Sequence, residues 1–231
     1  MTVVAIIVAG GNGKRMGRPK QFLEIGGRPI LEHTVAAFNS HPAINSIILV
    51  VAPDDVPKAQ KFKFAKLKSI IPGGPERQDS VFNGIKALPE ETELVVIHDG
   101  ARPFVSAESI MLSVAGAKEF GAVVIGVPVK DTIKQITNDK LQMTNGCKTI
   151  DRTLDRKGLW SAQTPQAFKK DVITTAYQEG IDEGLVTDDA MLVEKLGIPV
   201  KMIMGSYGNI KVTTPEDLFL ARSMFRKEGR K

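Results

Sequence analysis

The amino-acid sequence predicts an α/β protein with a Rossmann-like, mostly parallel sheet, helices on both faces and a protruding β-hairpin arm. Short β-branched runs alternate with stretches of helical periodicity through residues 3–128, which is the rhythm of parallel strands joined by crossover helices. After Pro128 two strand-like segments follow each other around turn residues, with no helical pattern between them. No repeat or linker is evident, so we predict one domain over residues 1–231, with the arm at about 129–157.

The first half of the chain supplies the predicted parallel sheet. Val3–Val8 is an unbroken apolar run of the length that buried strands have. Pro29–Ser40 has apolar residues at helical spacing with Pro29 in the first turn, and Ser106 precedes a later helix as its side-chain cap. The predicted strands are Val3–Val8, Ser46–Val51, Ser69–Ile71, Glu93–His98 and Ala122–Val127. The predicted helices between them are Pro29–Ser40, Asp54–Leu67, Glu76–Leu88 and Ser106–Phe120.

The second half begins with the predicted arm. Val129–Ile136 and Leu141–Ile150 flank turn residues, and because an isolated hairpin is only marginally stable, we expect it to pack on something, such as a second subunit. Thr214 and Pro215 have the cap and first-turn chemistry that opens a final helix. The elements predicted between arm and final helix are helices at Lys169–Glu183 and Asp188–Leu196 and strands at Lys201–Met204 and Ile210–Val212.

Composition excludes several classes of protein. The chain is 42% hydrophobic and 25% charged, which supports a sizeable core and argues against disorder. A single Cys147 cannot form an internal disulfide, so we expect the protein in a reducing cytoplasm. One cysteine and three histidines also disfavour a His/Cys metal site. The apolar run at Val3–Gly11 is too short for a bilayer span. The net charge of +5 suits an anionic partner, but we expect neither a membrane nor a nucleic acid.

A glycine-rich turn follows the first predicted strand. It does not match a P-loop, since Gly13-Lys14 is followed by Arg15, and it lacks the third glycine of a dinucleotide fingerprint, since that position is Met16. What remains is a turn whose backbone N–H groups can approach phosphate oxygens, with Arg15 and Lys20 to offset their charge. This chemistry suits an enzyme that cuts at the α-phosphate of a nucleotide. A plain tight turn with surface cations is the alternative.

Six segments, taken in order, resemble a known family. The chain is similar to the nucleotidyltransferases that join an NTP to a phosphorylated small alcohol or sugar, and over residues 3–222 it looks like the 2-C-methyl-D-erythritol 4-phosphate cytidylyltransferase family of non-mevalonate isoprenoid synthesis. The segments that carry the resemblance are Gly10–Leu23, Gly73–Val81, His98–Phe104, Pro128–Lys134, Trp160–Gln166 and Asn209–Thr213.

The resemblance implies a role for each candidate site residue. The implied catalytic residues are Arg15, Lys20 and Lys211. The implied nucleotide-binding residues are Ala9, Gly10, Gly11, Gly13, Gly74, Pro75, Ser80, Asp99 and Gly100. The implied residues for the acceptor substrate are Arg102, Thr132, Arg156, Thr164 and Thr187. The implied partners are CTP, a phosphorylated polyol and a second subunit that the arm embraces, so that Arg156 reaches the neighbour's substrate.

Asp99 is also the implied metal ligand. It ends a predicted strand at the carboxyl edge where ligands gather, and a carboxylate there can hold Mg²⁺ together with triphosphate oxygens. An Asp99–Arg102 ion pair that fixes the turn is the alternative. We expect no general base, because a phosphate monoester has its second pKa at about 6 and is already anionic at neutral pH.

Two other functions remain open from the sequence. A ribitol-5-phosphate cytidylyltransferase is similar over the same span, although Ala101 before Arg102 favours the erythritol enzyme. A nucleotide-binding regulatory module without catalysis is the second, and the pair Arg15 and Lys20 argues against it, because a sensor needs no residues to neutralise pyrophosphate. A dehydrogenase is disfavoured by the missing dinucleotide fingerprint.

Overall fold

A computed structural model describes residues 1–11, 20–137, 148–180 and 186–228. Its strands are β1 (Val3–Ala9), β2 (Glu24–Ile25), β3 (Arg28–Pro29), β4 (Ser46–Val51), β5 (Leu67–Pro72), β6 (Leu94–Asp99), β7 (Ala122–Pro128), β8 (Lys134–Ile136), β9 (Ile150–Thr153), β10 (Trp160–Lys169) and β11 (Lys201–Met204). Its α-helices are α1 (Ile30–Ser40), α2 (Val56–Ala59), α3 (Arg77–Lys86), α4 (Ala107–Phe120), α5 (Lys170–Glu179), α6 (Asp189–Lys195) and α7 (Pro215–Glu228).

A seven-stranded sheet forms the centre of the fold, in the order β11-β7-β10-β6-β1-β4-β5. The pairs β1–β4, β1–β6, β4–β5 and β7–β11 are parallel, whereas β10 runs antiparallel to both β6 and β7. The predicted fold class, a mostly parallel Rossmann-like sheet, is therefore confirmed. Because the parallel strands end at one edge, the loops that follow β1, β5 and β6 are neighbours there.

The core lies on both faces of the sheet, as the alternation along β1 requires. Val3, Ala5 and Ile7 face one layer, which contains Leu31, Val35 and Phe38 of α1 and Ile110, Val114 and Ala117 of α4. Val4, Ile6 and Val8 face the other, which contains side chains of α3, α5 and α6. Successive side chains of a strand point to opposite faces, so a strand covered on both sides reads as a continuous apolar run.

Most predicted elements are present, but the helix over Asp54–Leu67 is wrong. A short 3₁₀ turn and the four-residue α2 occupy its start, and the chain then runs without regular structure to β5. Phe62, Phe64 and Leu67 all pack against the same core layer. A helix would place Phe62 and Phe64 about 200° apart around its axis, so both rings could not reach that layer.

Two further segments differ from the prediction. Ile210–Val212 is not a strand, although the N–H of Val212 donates to the carbonyl of Ala101 at 2.9 Å. The sequence analysis also missed β10, ten residues long and central in the sheet. The segment lacks the apolar pattern of a buried strand, because it contains Pro165 and three buried polar residues, Gln163, Thr164 and Gln166. Gln163 and Gln166 form hydrogen bonds with residues far along the chain, Ser206 and Asp189.

The predicted arm leaves the main sheet as a separate two-stranded sheet of β8 and β9. Residues 138–147 of the predicted hairpin lie outside the described residues, and in the part that is described the return strand is Ile150–Thr153, so the predicted strand over Leu141–Ile150 is confirmed only at Ile150 and extends three residues further. Ile136 pairs with Ile150 across the two strands, and both side chains are exposed, at 37% and 54%. Among the helices described, none has the length and apolar character needed to cross a bilayer.

Candidate active site

The glycine turns after β1 and β5 meet around one serine. A Cβ on Gly10 would lie 2.7 Å from the hydroxyl oxygen of Ser80, and a Cβ on Gly73 would lie 2.6 Å from the same atom. That hydroxyl accepts the N–H of Gly74 at 3.1 Å and lies 3.2 Å from the carbonyl of Glu76. Only glycine allows this close approach, and three predicted nucleotide-binding residues, Gly10, Gly74 and Ser80, are thereby brought together. Pro75, next to them, is exposed.

Helix α3 starts directly after this turn with a reciprocal cap. The N–H of Glu76 donates to the Asp79 carboxylate at 2.9 Å, and the Glu76 side chain accepts from the N–H of Asp79. The helix N-terminus therefore faces the edge of the sheet where β1 and β6 end, a position that favours anions.

Gly100, the residue that follows β6, has both of its backbone polar groups bound within the protein. Gly100 donates to the carbonyl of Val8 at 2.8 Å, and its own carbonyl accepts the hydroxyl of Thr34 at 3.0 Å. A Cβ at Gly100 would lie 2.8 Å from Leu31 and 2.9 Å from Ala9. Both polar backbone groups of Gly100 already have partners, so this glycine serves close packing in the structure, and its nucleotide contact stays a prediction.

Thr164 lies beside Asp99 but its hydroxyl is buried and engaged. The hydroxyl oxygen accepts the N–H of Asp99 at 3.1 Å and lies 3.0 Å from Nδ1 of His98. Nε2 of His98 lies 3.2 Å from the carbonyl of Arg102, which can only accept, so Nε2 carries the proton and Nδ1 accepts from Thr164. Burial lowers the pKa of His98 to about 4, which keeps the ring neutral at pH 7.

Asp99 is surrounded by three cationic side chains. Its Oδ2 lies 2.9 Å from Nζ of Lys211 and 3.3 Å from Nε of Arg102, and its Oδ1 lies 3.3 Å from Nε of Arg77. Burial alone would raise the pKa of Asp99, but Arg77, Lys211 and Arg102 together hold it far below its usual range. The structure thus places three predicted residues, Asp99, Arg102 and Lys211, in one cluster.

Asn209 fixes the segment that carries Lys211. Its backbone carbonyl accepts NH1 of Arg102 at 2.8 Å, and its side-chain amide donates to the carbonyl of Thr164 at 2.7 Å. Two residues later the Lys211 side chain, 37% exposed, reaches Asp99. Lys211 is therefore both held near Asp99 and open to a ligand.

Arg77 and Asp189 belong to the cluster and are not among the site residues predicted from the sequence. The guanidinium of Arg77 makes a bidentate ion pair with Asp189, with NH1–Oδ1 at 2.9 Å and NH2–Oδ2 at 2.8 Å. One signal was available for Arg77: it is the first residue of α3, where a cation opposes the helix dipole and needs a compensating partner. Asp189 gave none, because an acid at the start of a helix is ordinary.

Tyr177 of α5 completes this buried group. Its hydroxyl donates to Oδ1 of Asp189 at 2.6 Å. Burial and the neighbouring Asp189 raise the pKa of Tyr177, so the phenol stays protonated and remains a donor. Burial alone would lower the pKa of Arg77, but Asp189 and Asp99 raise it well above its usual value, so the guanidinium stays charged.

The residues predicted to bind the acceptor are not all in this cluster. Thr132 is exposed at the root of the arm, and Arg156 lies in a 3₁₀ turn after β9, where its guanidinium donates to the carbonyl of Lys130. Thr187 is exposed just before Asp188, whose carboxylate caps α6 by accepting the N–H of Met191 at 3.0 Å. Within one chain, the arm residues Thr132 and Arg156 have no contact with Asp99 among those that the structure describes.

Part of the predicted site lies outside the described residues, namely Gly13, Arg15 and the side chain of Lys20. The backbone of Lys20 opens a 3₁₀ helix that returns to the end of β1. There the buried amide of Gln21 donates to the carbonyl of Ala9 at 3.1 Å and to Asp55 at 3.1 Å. The backbone of Lys20 therefore lies close to the end of β1, next to Gln21.

Asp99 is the candidate metal ligand in this cluster. Nowhere in residues 1–11, 20–137, 148–180 and 186–228 do three or more His, Cys, Asp or Glu side chains gather as a metal cage. Mg²⁺ often uses one or two carboxylates and takes its other ligands from substrate phosphates and water. An ionised Asp99 fits that donor set only together with a bound nucleotide.

Comparison with known proteins gives one consistent result. The family described as IspD, 2-C-methyl-D-erythritol 4-phosphate cytidylyltransferase, matches residues 3–227. A protein of Alkaliphilus metalliredigens (strain QYMF) with that name is 46% identical over 237 residues, covering 98% of this chain and 95% of the relative. One of Syntrophus aciditrophicus (strain SB) with the same name is 44% identical, covering 98% and 97%.

Solved structures agree with the sequence relatives. The 4-diphosphocytidyl-2C-methyl-D-erythritol synthase of Anaerococcus prevotii DSM 20548 superimposes with a TM-score of 0.85 at 35% identity, over 97% of this chain and 96% of that one. The 2-C-methyl-D-erythritol 4-phosphate cytidylyltransferase of Thermus thermophilus gives a TM-score of 0.78 at 32% identity, over 98% of this chain and all of the other.

Proposed function

We infer from its membership that this chain, which belongs to the 2-C-methyl-D-erythritol 4-phosphate cytidylyltransferase family, acts as that enzyme. It transfers a cytidylyl group from CTP to 2-C-methyl-D-erythritol 4-phosphate and releases pyrophosphate, in non-mevalonate isoprenoid precursor synthesis. The observation that carries this conclusion is the match of the family over residues 3–227. We assign the transfer reaction to the cluster around Asp99, because ligands of such sheets bind at the carboxyl edge of the strands.

The difficulty of the reaction is electrostatic. The attacking phosphate oxygen is already an anion at neutral pH, so no base has to remove a proton from it. An anion must instead approach the α-phosphorus of a polyanion, and fixed positive charges stabilise the charge that develops there. Neutral His98, buried and hydrogen-bonded on both ring nitrogens, is not placed to act as a base. Positioning and charge therefore supply the catalysis.

We assign the cations of the cluster to different parts of the reaction. Lys211 is ion-paired with Asp99 in the absence of substrate and exposed enough to turn to the α-phosphate. Arg102 is 11% exposed and held by Asn209, so it presents a fixed charge for the phosphate of the acceptor. Arg15 and Lys20 neutralise the departing pyrophosphate. Gly10, Gly74 and Ser80 form the surface against which the cytosine and its sugar lie.

Asp99 is the residue that we propose to hold Mg²⁺, in company with the phosphates of CTP. The carboxylate stays ionised because its pKa is depressed, and turning Lys211 to the nucleotide removes the nearer of the two cations at Oδ2, while Arg102 remains 3.3 Å from that oxygen. A bound Mg²⁺ supplies further neutralisation of the phosphate charge. The enzyme is proposed to depend on Mg²⁺ for that reason.

A homodimer completes the proposed site. The isolated β8–β9 arm exposes Ile136 and Ile150, and two strands alone are marginally stable, so a second copy of the chain is the partner that we propose for this surface. Arg156 and Thr132 would then serve the neighbour's acceptor substrate. We propose a cytoplasmic location, in keeping with the single Cys147.

One assay tests the activity and its substrate. Purified protein is given CTP and Mg²⁺ with either methylerythritol phosphate or ribitol phosphate, and pyrophosphate release is measured. We expect release with methylerythritol phosphate and little with ribitol phosphate. The opposite preference would establish the ribitol enzyme, and CTP binding with no release from either acceptor would establish a nucleotide-binding module.

Single substitutions test the proposed roles. Lys211→Ala, Arg15→Ala and Lys20→Ala should each lower kcat by about 100-fold or more, as the loss of one preorganised charge does. Lys68→Ala is the matched control, because Lys68 is an exposed lysine near the start of the edge strand β5, whereas the glycine turn of the site follows the end of that strand. Turnover close to that of the Lys68→Ala protein in any of the three would remove that residue from the mechanism.

A further inference from the structure

We propose that Asp189 and Tyr177 are positioning residues for the transfer reaction, because together they fix the guanidinium of Arg77 so that its Nε–H faces Asp99. This inference rests on the proposed role of Asp99 in binding the nucleotide and its metal. Neither Asp189 nor Tyr177 reaches the substrate in this arrangement, since both are buried at 0% exposure. Their effect passes through Arg77.

The geometry leaves the Arg77 side chain little freedom. Its two terminal nitrogens are bound to the two oxygens of Asp189 at 2.9 and 2.8 Å. A bidentate pair of this kind sets the plane of the guanidinium as well as its position. The remaining Nε–H is then directed to Oδ1 of Asp99 at 3.3 Å.

Asp189 is itself held at its carboxylate by Tyr177 and at its backbone by Gln166. Tyr177 donates to its Oδ1 at 2.6 Å, and the Tyr177 ring stacks on Phe82 with centroids 5.8 Å apart. The backbone N–H groups of Asp189 and Ala190 both donate to Oε1 of Gln166, at 3.1 and 3.0 Å. A carboxylate held in this way can define the orientation of its partner.

The charges indicate that Arg77 orients Asp99 and adds no net charge to the site. Asp189 has no other cation among its hydrogen-bond partners in the described residues, so the charge of Arg77 is balanced by it. Arg102 and Lys211 then share the single carboxylate of Asp99, which leaves one positive charge in excess. Without Asp189, the freed guanidinium would turn its terminal nitrogens to Asp99 and cover the carboxylate that has to meet the nucleotide.

Arg77 also joins three elements around the site. It belongs to α3, whose first turn follows Gly74 and faces the predicted cytosine position. Its partners are the last residue of β6 and the first residue of α6, two positions after Thr187. The orientation set by Asp189 therefore connects the nucleotide side of the site with its acceptor side.

Steady-state kinetics with CTP as the varied substrate test the effect on the reaction. We expect Asp189→Asn to lower kcat/KM for CTP about tenfold, within the range that coupled network residues show, and Tyr177→Phe to lower it less. Ser113→Ala is the control for Tyr177→Phe, because Ser113 is also fully buried and loses one hydroxyl hydrogen bond, to the carbonyl of Ile110. Its kcat/KM should equal that of the wild type. The double variant Arg77→Gln/Asp189→Asn should lose no more than Asp189→Asn alone, since both residues act through one guanidinium.

A spectroscopic readout on the protein without nucleotide or metal separates positioning from a general loss of structure. The Nε–H resonance of Arg77, assigned by its absence in Arg77→Lys, should be slow to exchange in the wild type and in Ser113→Ala. It should exchange rapidly in Asp189→Asn and faster than wild type in Tyr177→Phe, which keeps the test available should Asp189→Asn not fold.

Some results would overturn the proposal. They are an unchanged Arg77 resonance in Asp189→Asn and Tyr177→Phe, wild-type kcat/KM in both, or additive losses in the double variant. A wild-type protein that releases no pyrophosphate would instead overturn the proposed function, while the resonance would still report whether Asp189 orients Arg77.

Discussion

Substitution of Asp99 by Asn removes the carboxylate that Arg77, Arg102 and Lys211 share and should destabilise the folded protein even without ligands. The variant keeps the size of the side chain and its ability to accept hydrogen bonds. Asp99 is 6% exposed, so the change takes place in a largely water-free cluster. The three cations do not respond equally, because they differ in exposure and in their other partners.

The magnitude follows from what each cation retains. Arg77 keeps its bidentate pair with Asp189. Lys211 is 37% exposed and can turn to water, and pairs of that exposure contribute only about 0–1 kcal/mol. Arg102 is 11% exposed and loses its only ion pair among the described residues. Removing one partner of a buried pair costs about 3–5 kcal/mol, and since Asn still accepts a hydrogen bond we expect about 3 kcal/mol.

Thermal unfolding followed by circular dichroism, without nucleotide or metal, measures this loss. For a chain of this length about 3 kcal/mol corresponds to a fall in Tm of about 6–12 °C. Added pyrophosphate should raise the Tm of the variant more than that of the wild type, because the anion binds an extra uncompensated charge. Asp54→Asn is the matched control, since Asp54 is an exposed aspartate and should change stability by less than about 0.5 kcal/mol.

A Tm of Asp99→Asn within about 2 °C of the control would refute this reasoning, because it would mean that Arg102 is not a buried, uncompensated charge. Equal stabilisation of both proteins by pyrophosphate would contradict the assignment of the cluster as the anion site.

Three other perturbations have definite expected outcomes. In the protein without nucleotide or metal, His98 should lower the free energy of unfolding as pH falls from about 6.5 to about 4. In that range the histidine of the unfolded chain is protonated, whereas the buried ring of the folded protein stays neutral. Urea unfolding between pH 4 and 7.5 should show a dependence of up to about 3 kcal/mol that is reduced in His98→Gln, and an identical profile in both proteins would contradict it. Gly10→Ala should lower Tm by a few degrees, since overpacking costs about 1–3 kcal/mol and the new Cβ meets the Ser80 hydroxyl, whereas Gly11→Ala should not, since its Cβ meets nothing within 4 Å. Equal Tm values for the two alanine variants would contradict the close approach of Gly10 to the Ser80 hydroxyl. Light scattering should show the proposed dimer for the wild type and a monomer for Ile150→Asp, with unchanged circular dichroism, and a dimeric variant would rule the arm out as the interface.

The predicted fold was mostly accurate because its signals are local. Apolar runs, helical spacing and caps such as Ser106 and Thr214 depend on a few neighbouring residues, and the structure contains those elements. The errors arose where packing overrides local pattern. Phe62 and Phe64 reach one core layer without a helix. The segment of β10 does not look like a strand in sequence, because it contains buried polar residues whose partners lie far along the chain.

The sequence by itself also predicts which residues share one edge of the sheet, since parallel strands end at the same edge. Gly10 follows β1, Gly74 lies just beyond β5 and Asp99 ends β6, as predicted, while their roles toward a nucleotide stay predictions.

Only the tertiary structure decided which charges meet. Arg77 and Asp189 are separated by 112 residues, and their pairing depends on how α3 and α6 pack on the same face of the sheet. Lys211 reaches Asp99 from a segment that forms no strand, whose neighbouring residues Ile210 and Val212 pack in a separate hydrophobic cluster with α7. Ion pairs form between side chains that the fold brings within a few ångströms, and this separation cannot be derived from the periodicity or the composition of the sequence.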